Sequence, residues 1–375
     1  MRIAVVVGTR PEIIKMKPVV DEVKRRHELI LIHTGQHFDY EMSRAFFEEL
    51  RMPDPDYYLN VGSESSSVAD VASLVISRMY SLASSIKPDI VLVEGDTFSS
   101  FGSAYGAKLA GVPVGHVEAG CRSHDSRMLE EINRVLISDI ADLHFAPTRT
   151  AYRNLLREGI DPRRVFLTGH PIVDLLEDFK RIVNDDVLLE LGLRRGGYYL
   201  VTIHRRENIL DAGRLRAILR ELSRLSERFD VVFPVHPHTR RVMREFRLER
   251  HARGVLMTKP LKYGSFLSLL ANSRAVITDS GGVQQEAFLL RVPCVTVRGS
   301  TEWVETVELG VNVLVGDDPR RISEVVSYVE SNYAEIVGKL EGAPDIFGRP
   351  GVSSNIVRIV DEFLSSARLT RRGSC

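Results

Sequence analysis

The sequence predicts an α/β protein made of two doubly wound, Rossmann-like domains facing a cleft. Three observations carry that expectation. Short, continuous apolar runs alternate with amphipathic stretches along the whole chain, the pattern of parallel strands covered on both faces by helices. Glycine, carboxylate and histidine residues gather directly after those runs, where parallel sheets collect their ligands. The length, 375 residues, exceeds what one hydrophobic core usually organises.

The first domain is expected over residues 1–169. Ile3–Val7 is its opening strand, and Gly8-Thr9-Arg10-Pro11-Glu12 follows; Pro11 suits the first turn of a helix, with Thr9 or Arg10 at the cap. This turn is not Gly-x-Gly-x-x-Gly, so the dinucleotide fingerprint is absent and a nicotinamide enzyme loses weight. Arg10 and Lys15 instead place cations near a helix N-terminus, which suits a phosphate. Leu29–His33 is the next strand and ends in Gly35-Gln36-His37; helices are expected in 39–50 and 68–86. Ile90–Val93 runs into Glu94-Gly95-Asp96-Thr97, and Val112-Pro113-Val114 leads to His116-Val117-Glu118-Ala119-Gly120. Asp96 and Glu118 therefore stand at strand ends and face one crevice. Asp96 also suits the cap of the helix that starts near Thr97. Glu118 directly follows an apolar strand, so it is expected to be partly buried and paired, with Arg122 or Arg134 as nearby partners. Glu130 and Arg134 lie four apart on a helix, the spacing of an ordinary surface pair. Strands at 143–146 and 165–168 close the domain before the break at Gly169-His170-Pro171.

The rhythm restarts in the second domain, expected over 170–351, with strands at 199–203, 231–235, 255–257, 275–277, 294–297 and 311–315. His204 follows the first of them beside Arg205 and Arg206 and reads as a phosphate-binding or proton-shuttling group. His204, His236 and His238 lie on two strand ends with no carboxylate at ligand spacing, so no metal is expected. The richest stretch is Thr278-Asp279-Ser280-Gly281-Gly282-Val283-Gln284-Gln285-Glu286, a strand-to-helix turn. Ser280 caps the helix, Gly281 and Gly282 let the backbone approach a ligand, and the free N–H groups of the first turn make an anion site. Glu286 is placed to reach a ribose or sugar hydroxyl. An amphipathic helix over 352–368 is expected to pack back on the first domain.

Composition excludes other classes. Lys+Arg and Asp+Glu are both 50, so no global charge points to nucleic acid or a membrane surface. Cys121, Cys294 and Cys375 are scattered, which fits a reducing cytosol. No stretch approaches the roughly 20 apolar residues a bilayer span needs. Cations, a phosphate turn and strand-end carboxylates together suit a nucleoside diphosphate with a sugar attached, on which carboxylates would move protons.

Gly8-Thr9-Arg10-Pro11-Glu12, Gly35-Gln36-His37, Gly95-Asp96-Thr97, His116-Val117-Glu118-Ala119-Gly120, Glu130-Glu131-x-Asn133-Arg134, His204-Arg205-Arg206-Glu207 and the 278–286 stretch occur in the order of the non-hydrolysing UDP-N-acetylglucosamine 2-epimerases. The chain resembles that family over essentially its whole length. The resemblance implies a fold like the GT-B glycosyltransferases and interconversion of UDP-N-acetylglucosamine and UDP-N-acetylmannosamine without a cofactor, by loss of UDP to 2-acetamidoglucal and re-addition. It implies Asp96, Glu118 and Glu130 as acid/base carboxylates, and Arg134 and His204 as groups steadying the diphosphate or the carboxylates. It implies that Arg10, Lys15, Gln36, His37, Ser280, Gly281, Gly282 and Glu286 hold the UDP-sugar, with Phe266 beside the uracil. It also implies a homodimer, and with the scattered cysteines a cytoplasmic location is expected. The sequence departs from the family at Leu129, where Pro is frequent, after Gln36-His37, and at Trp303, where Arg is common. A related epimerase for a UDP-diacetamido uronate, a GT-B glycosyltransferase and a nucleotide-sugar sensor stand as alternatives.

Overall fold

A computed structural model describes residues 1–36, 40–65, 67–179 and 186–372. The chain forms two compact units, one of Met1–Asp178 with Asp345–Cys375 and one of Phe179–Pro344. The change of unit thus falls between Asp178 and Phe179, whereas the Gly169-His170-Pro171 break put it at 169/170.

Among the described residues the first unit holds seven strands: β1 (Arg2–Val7), β2 (Glu28–His33), β3 (Tyr57–Tyr58), β4 (Ile90–Glu94), β5 (Val114–Val117), β6 (Leu143–Ala146) and β7 (Val165–Leu167). They lie in the order β3-β2-β1-β4-β5-β6-β7, every pair parallel. The second unit holds β8 (Tyr198–Thr202), β9 (Asp230–Pro234), β10 (Leu256–Thr258), β11 (Ala275–Thr278), β12 (Cys294–Thr296) and β13 (Asn312–Leu314). Their order is β10-β9-β8-β11-β12-β13, again all parallel. Helices between the strands bury both faces of each sheet, so β1 beyond Arg2 and β4 are apolar at nearly every position and buried.

Strand order fixes where chemistry can occur. In each sheet the chain builds outward in one direction, then returns to the first strand and builds the other way. Two loops therefore diverge at the C-terminal ends of β1 and β4, and two more at those of β8 and β11, opening a crevice at each switch point. The first receives Gly8-Thr9 and Gly95-Asp96; the second receives His204-Arg205 and Asp279-Ser280.

Glu12 shapes the first crevice. It is buried and accepts the N–H groups of Gly8 and Thr9, each at 2.7 Å. It also accepts the hydroxyls of Thr97 and Ser100, tying the turn after β1 to the helix after β4. Helix Val352–Arg372 lies against helix Arg10–Arg26, burying Val352, Ile356, Val357 and Val360 in the first unit. Among the described residues no helix is long and apolar enough to cross a membrane.

Candidate active site

The first crevice contains a buried ionic cluster. Lys15, one turn into helix Arg10–Arg26, reaches under the turn to Glu94 at 2.9 Å and Glu118 at 2.5 Å. Glu94 ends β4 and Glu118 follows β5, so adjacent strands deliver both carboxylates. His170, from the loop after β7, donates its Nε2–H to Glu118 at 2.6 Å. Lys15 and His170 meet the same oxygen, Oε2. Oε1 of Glu118 accepts no hydrogen bond from the described residues and points towards Gly95, 4.0 Å from where a Cβ there would sit. The Glu118 backbone is left-handed, with φ 66°, a conformation that costs a non-glycine residue about 1–3 kcal/mol and concentrates at functional sites.

Donor atoms of Glu94, Glu118 and His170 all lie within 4.8 Å of one another, close enough to surround a cation. The Lys15 ammonium pairs with both carboxylates, so the three donors form part of an ion-pair cluster. Burial works to lower the Lys15 pKa, but the two carboxylates outweigh it and hold the ammonium charged. Burial pushes the Glu94 carboxyl well above its ordinary range; the Lys15 charge opposes this, and the charges of Glu118 and Glu12 add to it. Burial pushes Glu118 up too, but the Lys15 charge and the His170 hydrogen bond prevail and hold it far below the usual range.

Asp96, in the loop after β4, forms an ion pair with Arg134 at 2.5 Å. Its carbonyl accepts from Asn133 Nδ2 at 2.8 Å. Burial raises the Asp96 carboxyl; Arg134 opposes, Glu118 and Glu130 contribute like charge, and the net shift is upward. The two neighbouring strand ends thus carry carboxyls displaced in opposite directions.

Three expected pairings are corrected. Arg134 is buried and bonds Asp96 and Glu131, the latter at 2.8 Å, and not Glu130, which is exposed. Glu131 in turn takes the N–H groups of Ser123 and His124 at 2.9 and 3.0 Å, which fixes the loop in front of the helix. Glu118 pairs with neither Arg122 nor Arg134; Arg122 forms a two-pronged contact with Glu158 at 2.8 and 2.6 Å. The cap of the helix after β4 is Thr97, whose hydroxyl accepts from the Ser100 N–H, and not Asp96. Lys15 also departs from its reading as a phosphate cation at the helix start, since its ammonium is committed to carboxylates. Arg10 opens the helix and lies over the Phe46 ring at 4.3 Å. Gln36 accepts both the N–H and the hydroxyl of Ser99 at 2.8 Å. His37 lies outside the described residues.

In the second unit, Asp279 organises the switch point. It is fully buried at the end of β11 and accepts the N–H groups of His204 and Arg205 at 3.1 and 3.0 Å and Asn208 Nδ2 at 2.9 Å. His204 Nδ1 lies 3.2 Å from the same carboxylate, while the imidazole remains 42% exposed. Burial works to raise the Asp279 carboxyl, but His204 and the converging N–H donors lower it on balance. An ionised aspartate thus anchors an accessible histidine.

Beside it, Ser280 caps helix Gly281–Leu289, its hydroxyl 3.5 Å from the Val283 N–H. The space over Gly281 is taken by Glu302, and the Trp303 indole N–H donates to the Gly281 carbonyl at 2.9 Å. Glu302 pairs with buried Arg298 at 2.9 Å and lies 3.8 Å from Arg205. Trp303 thus braces the turn from behind. Glu286 accepts the Tyr263 hydroxyl at 2.8 Å, and Phe266 is buried on the same helix as Tyr263.

Sequence reasoning missed Glu94, His170 and Asp279. Each sits inside a quoted motif or at a noted break, so position was visible and partner was not.

Comparisons with known proteins agree with this architecture. A sequence profile described as UDP-N-acetylglucosamine 2-epimerase matches residues 21–361. The UDP-N-acetylglucosamine 2-epimerase of Methanocaldococcus jannaschii is 37% identical over 370 residues, covering 96% of this chain and 99% of that protein. The UDP-2,3-diacetamido-2,3-dideoxy-D-glucuronate 2-epimerase of Pseudomonas aeruginosa is 39% identical over 320 residues, 84% of this chain and 88% of that one. The crystal structure of the M. jannaschii UDP-GlcNAc 2-epimerase, in complex with UDP-GlcNAc and UDP, matches with a TM-score of 0.88 and 36% identity, over 96% of this chain and 100% of that chain. With two all-parallel sheets of GT-B-like type and this span of similarity, the chain belongs to the UDP-N-acetylglucosamine 2-epimerase family.

Proposed function

We propose that the protein interconverts UDP-N-acetylglucosamine and UDP-N-acetylmannosamine by inverting C2 of the sugar. The observation that carries this reading is the pair Glu118 and Asp96, carboxyls at adjacent strand ends whose surroundings shift their pKa values in opposite directions, Glu118 down and Asp96 up, the arrangement an acid–base pair needs. In the direction that begins with ionised Glu118, its oxygen takes the C2 proton. The C–H electron pair becomes the C1–C2 double bond, and the C1–O bond breaks with its pair leaving on UDP. The intermediate is 2-acetamidoglucal. UDP adds back at C1, and Asp96 delivers a proton to the other face of C2; the reverse reaction exchanges the two roles.

We infer the remaining roles from the family resemblance. Arg134 holds Asp96, and Lys15 acts through Glu118 and Glu94. Glu130 is a further carboxylate whose charge reaches Asp96. His204, oriented by Asp279, steadies the departing diphosphate. Ser280, Gly281, Gly282, Glu286, Phe266, Arg10, Gln36 and His37 hold the UDP-sugar. No step calls for a cofactor. A second reading, a UDP-diacetamido uronate as substrate, is favoured by the similarity to the P. aeruginosa enzyme. We also read the protein as a cytosolic homodimer: its three cysteines are few and scattered along the sequence, and the outer face of helix Leu129–Ile140 exposes Leu129, Ile132, Val135 and Leu136.

The test is proton NMR of UDP-N-acetylglucosamine incubated with the protein in D2O. The manno epimer bearing deuterium at C2 is the expected product, and Asp96→Asn or Glu118→Gln should slow its appearance by roughly 100-fold or more while UDP still binds. Wild-type rates in both variants would sink the acid–base assignment. Turnover of only the diacetamido uronate would transfer the activity to the second substrate.

A further inference from the structure

Glu118 receives a donor that the reaction above does not use. His170 is fully buried, and burial lowers its pKa, which favours the neutral imidazole. Its Nδ1 accepts the N–H of Ile172 at 3.1 Å, so the ring hydrogen must sit on Nε2, 2.6 Å from Oε2 of Glu118. The tautomer is therefore fixed from behind, and the ring is a donor rather than a base. The backbone on the N-terminal side of His170 is held too: the His170 N–H donates to the Phe347 carbonyl at 2.8 Å, and Gly169 approaches Phe347 and Gly348 so closely that a Cβ would lie 2.6 Å from the Phe347 oxygen.

Lys15 occupies the same Oε2 at 2.5 Å. Two donors on one oxygen pin the carboxylate in rotation, and the other oxygen, beside Gly95, accepts no hydrogen bond from the described residues. Other titratable groups around it are Glu94 and Asp96 from the end of β4 and His116 from β5; burial holds His116 down at about 4, so it too is neutral. Among these, only Lys15 and His170 hydrogen-bond to Glu118.

We propose that His170 is a positioning residue for C2 inversion: with Lys15 it saturates Oε2 of Glu118 and so assigns Oε1 as the single oxygen that exchanges the C2 proton. This rests on the reading of Glu118 as the group that works on C2. In the step, the C2–H bond breaks and an Oε1–H bond forms, while the hydrogen on His170 Nε2 stays where it is.

The experiment compares His170→Leu, which keeps bulk and loses the donor, with His170→Gln, which restores an N–H. The readouts are kcat, KM and the primary isotope effect with substrate deuterated at C2. In His170→Leu, kcat should fall about 10- to 100-fold with KM little changed, the effect of a misaimed catalytic group. The isotope effect should rise, because C–H cleavage becomes slower than the other steps, and His170→Gln should recover much of both. A purely structural role predicts a lower melting temperature with an unchanged isotope effect, and that result in a folded variant overturns the proposal. A measurement on the unmodified protein covers variants that do not fold: imidazole 15N shifts should show His170 protonated at Nε2 alone, and hydrogen on Nδ1 overturns the proposal. Those shifts need no turnover. Inactivity of the wild-type protein on both UDP-sugars would thus reject the reaction while leaving the tautomer test standing.

Discussion

Gly281 and Gly282 are adjacent in sequence and differ in what surrounds them. A Cβ on Gly281 would sit 2.1 Å from Glu302 Oε1 and 3.4 Å from the Trp303 indole nitrogen. Glu302 cannot simply swing aside, because it is buried and tied to Arg298. Gly282 has nothing nearer than the Ser280 hydroxyl at 3.9 Å. Gly281→Ala should therefore destabilise the free protein by about 1–3 kcal/mol, as overpacking does, visible as a lower melting temperature. Gly282→Ala should melt with wild type and instead weaken UDP, since its open side is the side a phosphate would approach; calorimetric titration with UDP separates the two. Equal melting temperatures for both variants would refute the distinction. At this scale the sequence showed the turn because capping and glycine freedom are local properties. It could not show that Glu302 fills the first glycine's space, nor that Lys15 meets Glu94 and Glu118, because those partners lie 79 and 103 positions away and are joined only through sheet order.

Helix Leu129–Ile140 explains the main misreading at the scale of elements. Amphipathic logic turns apolar residues inward, and on that logic Glu130 and Arg134 share a wet face. The helix does the reverse. Glu131, Asn133 and Arg134 are buried against the strand-end loops, while Leu129, Ile132, Val135 and Leu136 are 42–47% exposed. A helix that hides charge and shows leucine turns one side to a polar site and offers the other as an apolar face for a neighbour. We expect that neighbour to be a second copy. Ile132→Asp with Leu136→Asp should halve the mass measured by light scattering and reduce turnover, because the same helix supplies Arg134 and Asn133 to Asp96. An unchanged mass, or a monomeric wild type, would remove this face from consideration. The strands were easier to read than this helix: buried parallel strands are apolar on both faces, so their signal does not depend on knowing which side is inside.

Across the whole molecule, the repeated alternation of strand and helix was legible, because each unit writes its strand–turn–helix pattern locally, and the two sheets share one order of winding. The return of a helix over 352–368 to the first unit was also legible, but the exact bounds of each unit were not, because no local pattern marks where contacts pass from one unit to the other. The first unit is closed by residues 345–372, which return after the second is complete. Arg26 and His27 pair with Asp361 at 2.8 and 2.7 Å, and Asp174 accepts the N–H groups of Gly351 and Ser353. Phe347, on the same returning segment, holds the backbone of His170. This arrangement sets an order of assembly during synthesis. Residues 179–344 form a continuous piece that can fold as they emerge, whereas the piece that emerges first must wait for the last. A fragment of 179–344 should melt cooperatively by circular dichroism. A fragment of 1–178 should not, until a peptide of 345–372 is added; independent cooperative melting of 1–178 would contradict this order. The chain thus completes the support of its proposed catalytic carboxylate as one of its final folding events, so a protein interrupted before residue 345 would lack the contact that steadies His170.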